Sequence, residues 1–223
     1  MKSDIVAIIP IREGSKRIKN KNFKKFADEK SLLELKIKQL KKENCFSKIY
    51  LSSNSKKAKK IAIENDINFL HRPDYFCSSK AKMHEYNSYM LSTIPGNPDV
   101  AWTMVTAPLF FDYQKAINKY YKSKKLGYDS LISVCKFKEF LINSKSKPVN
   151  CSFGIWHSLT QDLPKLYTIT GGVYIAKKAD QLKWNYWFGI NPFMMKIPKL
   201  NSIDVDTPED FKIAESLYLS LKK

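Results

Sequence analysis

The chain has 223 residues, of which 43% are hydrophobic, and its 39 Lys and Arg exceed its 21 Asp and Glu to give a formal net charge of +18. This composition excludes a disordered chain and predicts a globular protein with one core, organised as a single domain over residues 1–223. No apolar run approaches the roughly 18–20 residues of a membrane span. The first residues lack a signal-peptide cleavage pattern, so we expect a cytoplasmic protein.

The positive charge bears on anionic partners or on solubility, and a lysine-rich coding bias is the simpler explanation for most of the excess. Many lysines lie in helix-like stretches such as "SKKAKKIAIEN" (55–65), where no aromatic residues are interleaved. Nucleic-acid binding is therefore the least favoured alternative. The four cysteines are scattered, and their spacing predicts neither a zinc site nor a disulfide framework.

Apolar runs alternate with amphipathic segments along the chain. The predicted strands span 4–10, 48–54, 68–73, 101–108, 129–137 and 171–176, and the predicted helices span 31–46, 55–67, 82–94, 112–125 and 207–221. This alternation predicts an α/β fold with a mostly parallel sheet. Residues 139–170 are polar and irregular, and we interpret them as an excursion from the sheet that forms a flap or a dimer contact.

The loop after the first predicted strand is strongly basic. Gly14 and Ser15 present unobstructed backbone N–H groups, and the surrounding cations are Arg12, Lys16, Arg17, Lys19 and Lys21. Ligands of doubly wound sheets bind at the carboxyl ends of the strands, so this loop is a candidate anion site for a triphosphate. Neither a GxGxxG nor a GxxxxGK[ST] pattern is present, and a solvated basic surface is the simpler alternative.

A pair of aspartates lies near the other end of the chain, in "NSIDVDTPEDF" (201–211). Asp204 and Asp206 alternate along an extended segment, so both side chains point to the same side. Two carboxylates on one side suit Mg²⁺, the usual partner of a nucleoside triphosphate. Asp206 could instead only stabilise the start of the following helix, which Thr207 is predicted to cap.

The segment "IIPIREGSKRIKNKN" (8–22) resembles the signature of the acylneuraminate cytidylyltransferase family, which is akin to the CMP-Kdo synthetases. Further similar segments follow in the family's order: "YLSSNS", "HRP", "TAPL", "TQDLPKLY", "GGVYIA" and "SIDVDTPEDFKIAE". The resemblance covers nearly the whole chain. It implies a three-layer Rossmann-like fold of the nucleotide-diphospho-sugar transferase type, and a homodimer that exchanges the 139–170 segment.

The resemblance also implies an activity: transfer of CMP from CTP to a sugar acid, with Mg²⁺ and release of pyrophosphate, for surface-glycan synthesis. By this likeness Arg12, Gly14, Ser15, Lys16, Lys21 and Arg72 bind CTP. Lys21, Arg12 and Asp206 are the catalytic candidates, with Lys21 neutralising the departing pyrophosphate and Arg72 recognising cytosine or ribose. Asp204 and Asp206 hold the metal. The acceptor-binding candidates are Met104, Thr106, Gln161 and Tyr174.

The sequence departs from the family mainly where the acceptor is expected. Met104-Val105 replaces a Gln-Pro, and Phe110 and Leu159 stand where arginines are common. Losing cationic and amide groups removes partners for a carboxylate, which favours an acceptor other than ordinary sialic acid, or a carboxylate held by a different cation such as Lys136, Lys138 or His157. A catalytically silent nucleotide-binding homologue remains the second hypothesis.

Overall fold

The computed structural model describes residues 4–15 and 17–221, so the predicted site residue Lys16 lies outside the described residues. The strands are β1 (Ile5–Pro10), β2 (Lys48–Ser53), β3 (Asn68–His71), β4 (Asp99–Trp102), β5 (Ser130–Phe137), β6 (Leu166–Lys177) and β7 (Pro192–Ile197). The α-helices are α1 (Leu32–Glu43), α2 (Lys56–Glu64), α3 (Asp74–Cys77), α4 (Met83–Ser92), α5 (Tyr113–Lys124), α6 (Lys178–Trp184) and α7 (Pro208–Ser220). Short 3₁₀ turns span Lys21–Phe23, Gly154–Trp156 and Lys199–Ser202.

The strands form one seven-stranded sheet in the order β3-β2-β1-β4-β6-β5-β7. β6 runs antiparallel to β4 and β5, while the other neighbouring pairs are parallel. Alternate residues of β1 face opposite cores, since Ile9 packs in the core that includes α1, α2, α5 and α7, whereas Ile8 packs in the core that includes α4. The predicted α/β class, with helices on both faces of a mostly parallel sheet, is confirmed.

Several boundaries differ from the sequence prediction. The strand predicted over 101–108 ends at Trp102, and the strand predicted from 171 begins at Leu166, inside the proposed excursion. α3, α6 and β7 were not predicted. α6 has only seven residues and α3 has four, so both are too short to show a helical spacing of apolar residues in the sequence. β7 is an edge strand that begins with a proline.

β4 is shorter than predicted at its carboxyl end because Thr103 is hydrogen-bonded to β1 and the chain then enters a turn. The backbone N–H and the hydroxyl of Thr103 both donate to the carbonyl of Ile8, each at 3.0 Å. The following loop, residues 103–110, is fixed from below by α1. Lys36 Nζ donates to Ala107 O at 2.9 Å and to Tyr113 Oη at 2.7 Å, and Gln39 Nε2 donates to Pro108 O at 2.6 Å.

Lys36 is fully buried, and this burial lowers the pKa of its ammonium group from 10.5 to about 7. Its two acceptors are neutral, so they provide hydrogen bonds without the counter-charge that would hold the proton. A lysine side chain thus lies in the core, where its hydrogen bonds fix the 103–110 loop.

The predicted cap of the last helix is confirmed. Thr207 Oγ1 accepts from the Asp210 N–H at 3.2 Å, and Asp210 Oδ2 accepts from the Thr207 N–H at 2.8 Å, which together form a capping box. These bonds hold the chain between Asp204 and Asp210 in one conformation.

The 138–165 segment between β5 and β6 contains little regular structure, with one isolated bridge between Ile142 and Pro148. It presents large apolar side chains to solvent, including Ile155 at 90% and Trp156 at 74% exposure. Across residues 4–15 and 17–221, no helix has the length and apolar character needed to cross a bilayer.

Candidate active site

A cavity of about 780 Å³ opens at the edge of the sheet where β1, β3 and β4 end. Its walls come from the loop after β1, the segment from Arg72 to Met90, the start of the 103–110 loop, Trp187 and Asp206. This is the edge at which parallel α/β sheets bind ligands.

The loop after β1 forms one wall of this cavity. Arg12 and Ser15 line it, and Arg12 Nη1 donates to the carbonyl of Cys77 at 3.0 Å. Asn22, which is buried, donates through Nδ2 to the carbonyl of Arg12 at 3.1 Å and so closes the loop on itself. Gly14 has a φ of 81°, a conformation that favours glycine, and it lies on the exposed turn rather than among the lining residues.

The two distant stretches of sequence meet at Lys21. Its Nζ donates to the carbonyl of Val205 at 2.6 Å and to Asp206 Oδ1 at 3.2 Å. Arg17 Nη2 approaches the same carboxylate oxygen at 3.5 Å. The Lys21 side chain is only 13% exposed, whereas that of Arg17 is 67% exposed, so the Lys21 contact is the better shielded from solvent. The cationic loop and the aspartate segment therefore share one site.

Asp204 lies behind Asp206, against the 103–110 loop. The Val205 N–H donates to the carbonyl of Thr106 at 2.7 Å, and a Cβ built on Gly171 would lie 3.4 Å from Asp204 Oδ1. Although much of the residue faces solvent, desolvation of its carboxylate raises the pKa of Asp204. A hydrogen bond from the Thr106 side chain opposes this rise, and the charge of Asp206 adds to it. A cation beside the two carboxylates would relieve their repulsion.

The described residues contain no cluster of three or more His, Cys, Asp or Glu side chains that could hold a metal ion. A metal at Asp204 and Asp206 would therefore take its remaining ligands from a bound substrate and water. This donor set fits Mg²⁺, which is commonly held by one or two carboxylates together with substrate phosphates.

Arg72 is 4% exposed and follows β3 into the cavity wall. Its guanidinium donates to the carbonyl of Ile11, and to Cys77 Sγ at 3.0 Å and Met90 Sδ at 3.1 Å. Sulfur is a weak acceptor, so two of these three bonds are readily exchanged for a better partner. Arg72 thus fixes the start of the loop after β1 to α4.

The acceptor-binding candidates separate into two pairs. Met104 and Thr106 line the cavity. Gln161 is exposed on the 138–165 segment and is not among the cavity residues. Tyr174 is buried, and its ring stacks on that of Trp187 with centroids 5.2 Å apart, so Trp187 lines the cavity and Tyr174 does not.

The cavity residues that were not predicted from the sequence include Asn22, Tyr86, Asn87 and Trp187. Asn87 could have been recognised from the sequence. Its spacing from Met83 and Met90 places it on the buried face of α4, where an apolar residue is usual. Trp187 belongs to an aromatic-rich segment between α6 and β7, whose place in the fold no local pattern indicated.

A model of the family described as "Cytidylyltransferase" matches residues 6–87. The N-acylneuraminate cytidylyltransferase of Escherichia coli O18:K1:H7 is 27% identical over 224 residues, covering 96% of this chain and 52% of the relative. The pseudaminic acid cytidylyltransferase of Campylobacter jejuni serotype O:23/36 is 26% identical, covering 96% of this chain and 95% of the relative. The chain spans about half the length of the N-acylneuraminate enzymes it matches.

Solved structures share the fold at low identity. A CMP:2-keto-3-deoxy-manno-octonic acid synthetase in complex with CTP matches with a TM-score of 0.68 and 11% identity, covering 98% of this chain and 100% of that one. The 2-C-methyl-D-erythritol 4-phosphate cytidylyltransferase of Francisella tularensis matches with a TM-score of 0.69 and 16% identity, covering 96% and 100%. These structural likenesses concern the fold, while the sequence matches show that the chain is similar to acylneuraminate cytidylyltransferases at modest identity.

Proposed function

We propose that this protein transfers CMP from CTP to the hydroxyl of a sugar acid and releases pyrophosphate. The observation that carries the proposal is the contact of Lys21 with Val205 and Asp206, which joins the basic loop to the aspartate segment, with Asp206 lining the cavity. The curated relatives supply the reaction class, since they are named as N-acylneuraminate and pseudaminic acid cytidylyltransferases.

In the proposed reaction the acceptor oxygen forms a bond to the α-phosphorus of CTP, while the bond from that phosphorus to the bridging oxygen breaks. Negative charge then accumulates on the leaving pyrophosphate. Arg12, Arg17 and Lys21 border the cavity and supply positive charge for it. Phosphoryl-type transfer depends mainly on such positioning and electrostatic stabilisation, so no covalent nucleophile of the protein is required.

Asp204 and Asp206 would hold Mg²⁺ in this scheme, and the metal would neutralise charge on the triphosphate. In the unliganded protein, Lys21 and Arg17 neutralise Asp206. We propose that these cations turn towards the phosphates when the nucleotide and its metal bind, so that Asp206 exchanges one positive partner for another.

The acceptor side of the cavity is apolar, with Met104, Trp102 and Trp187 among its lining residues. This surface offers few charged partners, so we propose that the acceptor differs from ordinary sialic acid and that its carboxylate is held by a cation outside the apolar side, such as Lys136, Lys138 or His157. We propose a nonulosonic-type sugar acid that is destined for a surface glycan. We place the reaction in the cytoplasm, where CTP is supplied.

We also propose that the protein is a homodimer formed through the 138–165 segment. The support is its exposed apolar side chains, of which Phe153 is 53%, Ile155 90%, Trp156 74% and Leu159 62% exposed. A group of large apolar side chains on one exposed segment is more typical of an interface than of a free surface. A second copy of the chain would bury them.

A pyrophosphate-release assay tests the function directly. The protein is incubated with Mg²⁺, each of the four ribonucleoside triphosphates, and a panel of nonulosonic acids and Kdo. Release with CTP and at least one acceptor is expected, with the other triphosphates giving far slower rates. Tight CTP binding without release on the whole panel would favour the silent nucleotide-binding hypothesis. Nucleic-acid affinity that CTP does not displace would favour the least expected alternative.

Lys21→Met provides a sharper test of the site. Removing one preorganised cation from a charge-stabilising site costs about 10²–10³-fold in rate, so we expect kcat to fall by this factor. Lys25→Met is the matched control, since Lys25 follows in the same segment, is exposed, and is not among the cavity residues. Equal activity of the two variants would remove Lys21 from the mechanism.

A further inference from the structure

Asn87 is the most unusual polar residue of the cavity wall. It is 1% exposed, and neither its Nδ2 nor its Oδ1 has a hydrogen-bond partner among the described residues. A buried polar group without a partner is costly, and most such groups in folded proteins are satisfied. Asn87 also lines the cavity, so a bound ligand is in a position to provide the missing bonds.

Asn87 lies close to the cavity residues that are proposed to bind the nucleotide. One turn along α4, Met90 accepts a hydrogen bond from Arg72, which in turn donates to Ile11 at the base of the phosphate-binding loop. The neighbouring Tyr86 lies within the field of the same cations. Burial raises the pKa of its hydroxyl, and the charges of Arg72 and Arg12 oppose that rise.

The chemistry of the amide defines what it can recognise. A primary amide offers two N–H donors and one carbonyl acceptor, all neutral. Its complement is a planar neutral edge that carries a donor beside an acceptor. Cytosine has such an edge, with its exocyclic amino group next to a ring nitrogen. Phosphate and carboxylate groups offer only acceptors and would leave the Asn87 carbonyl unpaired.

We infer that Asn87 is a binding residue that hydrogen-bonds the base of the bound nucleotide. The inference rests on the proposed function, because it takes the base from CTP. Asn87 contributes affinity for the base and nothing to the grip on the phosphates. Because an amide that rotates by half a turn exchanges its donor and acceptor, Asn87 alone does not separate cytosine from uracil.

The test measures binding of CTP and of inorganic tripolyphosphate by calorimetry, both with Mg²⁺, to the unaltered chain and to Asn87→Leu. Leucine has nearly the shape of asparagine without its polar atoms. We expect CTP to bind at least tenfold more weakly, about 1.4 kcal/mol, and tripolyphosphate to bind equally well. Ser92→Ala, on the exposed side of the same helix, is expected to change neither affinity.

A second readout uses the unliganded protein. Because Asn87→Leu removes an unsatisfied amide, we expect its Tm to rise by at least about 2 °C. The comparison is Gln181→Leu, which removes a fully buried amide that has partners at both ends, since its Oε1 accepts from Trp102 Nε1 and its Nε2 donates to Val100 O and Ala176 O, and it is expected to lower the Tm. A fall in Tm for Asn87→Leu would mean that its amide is already satisfied, which overturns the premise.

The remaining outcomes also decide the inference. Equal loss of CTP and tripolyphosphate binding in Asn87→Leu would indicate general damage to the site and overturn it. Unchanged CTP binding with a raised KM for the acceptor would assign the amide to the acceptor instead, and would leave the proposed function standing. If the unaltered chain binds tripolyphosphate but not CTP, the proposed function fails, and the inference fails with it.

Discussion

The buried lysine beneath the 103–110 loop gives this protein a specific dependence of stability on pH. Lys36→Met replaces the ammonium group with an apolar chain of similar length. It removes the bonds to Ala107 O and Tyr113 Oη, but it also removes the cost of keeping an ionisable group in the core. The two effects oppose each other at any single pH, so the informative quantity is the slope of stability against pH.

The magnitude follows from the lowered pKa of Lys36, about 7 in the folded protein against 10.5 ordinarily. At 1.36 kcal/mol per pKa unit, the penalty is on the order of 5 kcal/mol at low pH. Below pH 7 both states are protonated, and the penalty has its full size. Between pH 7 and 10.5 the unfolded state binds more protons, so stability rises with pH. From pH 7 to pH 9 the wild type should gain about 2 kcal/mol relative to Lys36→Met.

Urea denaturation at half-unit steps from pH 6.5 to 9.5 measures this difference. Cysteine and tyrosine titrations affect both proteins, and they cancel when the free energies of unfolding are subtracted. Lys42→Met, exposed on the same helix, should follow the wild-type slope. Parallel curves for wild type and Lys36→Met would refute the claim that burial has displaced the proton from Lys36.

Three further predictions concern the site, the interface and the last helix. Asp206→Asn should raise the Mg²⁺ concentration needed for half-maximal pyrophosphate release by about tenfold; an unchanged requirement would remove Asp206 from the metal site. Trp156→Asp should convert a dimer into a monomer in light scattering, whereas Leu126→Asp, on a distant exposed turn, should not; a Trp156→Asp protein that stays dimeric would place the interface elsewhere. Thr207→Ala should lower the free energy of unfolding in urea by about 1 kcal/mol, because the capping bond to Asp210 is lost, and an unchanged midpoint would contradict that role.

The sequence predicted the fold where local patterns and topology agree. β1 was predicted from its continuous apolar run, which is typical of a strand buried on both faces. α1 and α2 were predicted from the helical spacing of their apolar residues, which is typical of a helix buried on one face. β4 was predicted too long, since residues 103–108 are as apolar as a strand. They are instead held as a loop by Thr103 and by two α1 side chains, Lys36 and Gln39. Contacts of this kind join residues that are far apart in the sequence, so they produce no recognisable pattern in the local sequence.

The candidate site was predictable to a similar degree. Lys21 and Asp206 were found because their residue types carry recognisable chemistry, and the fold brings them together. Trp187 was not found, because its position depends on the antiparallel insertion of β6 beside β4. Gln161 and Tyr174 were selected by similarity alone, and they lie away from the cavity because one belongs to an exposed segment and the other is covered by an indole ring.

The bond between Lys21 and Asp206 spans 185 positions of the chain. A polypeptide emerging from the ribosome therefore exposes its basic loop long before the carboxylates that neutralise it have been made. Until the segment around Asp206 has been made, the loop lacks this partner, and closing so long a loop is entropically slow. The contact between Lys21 and Asp206 is therefore missing from any chain that is interrupted before Asp206.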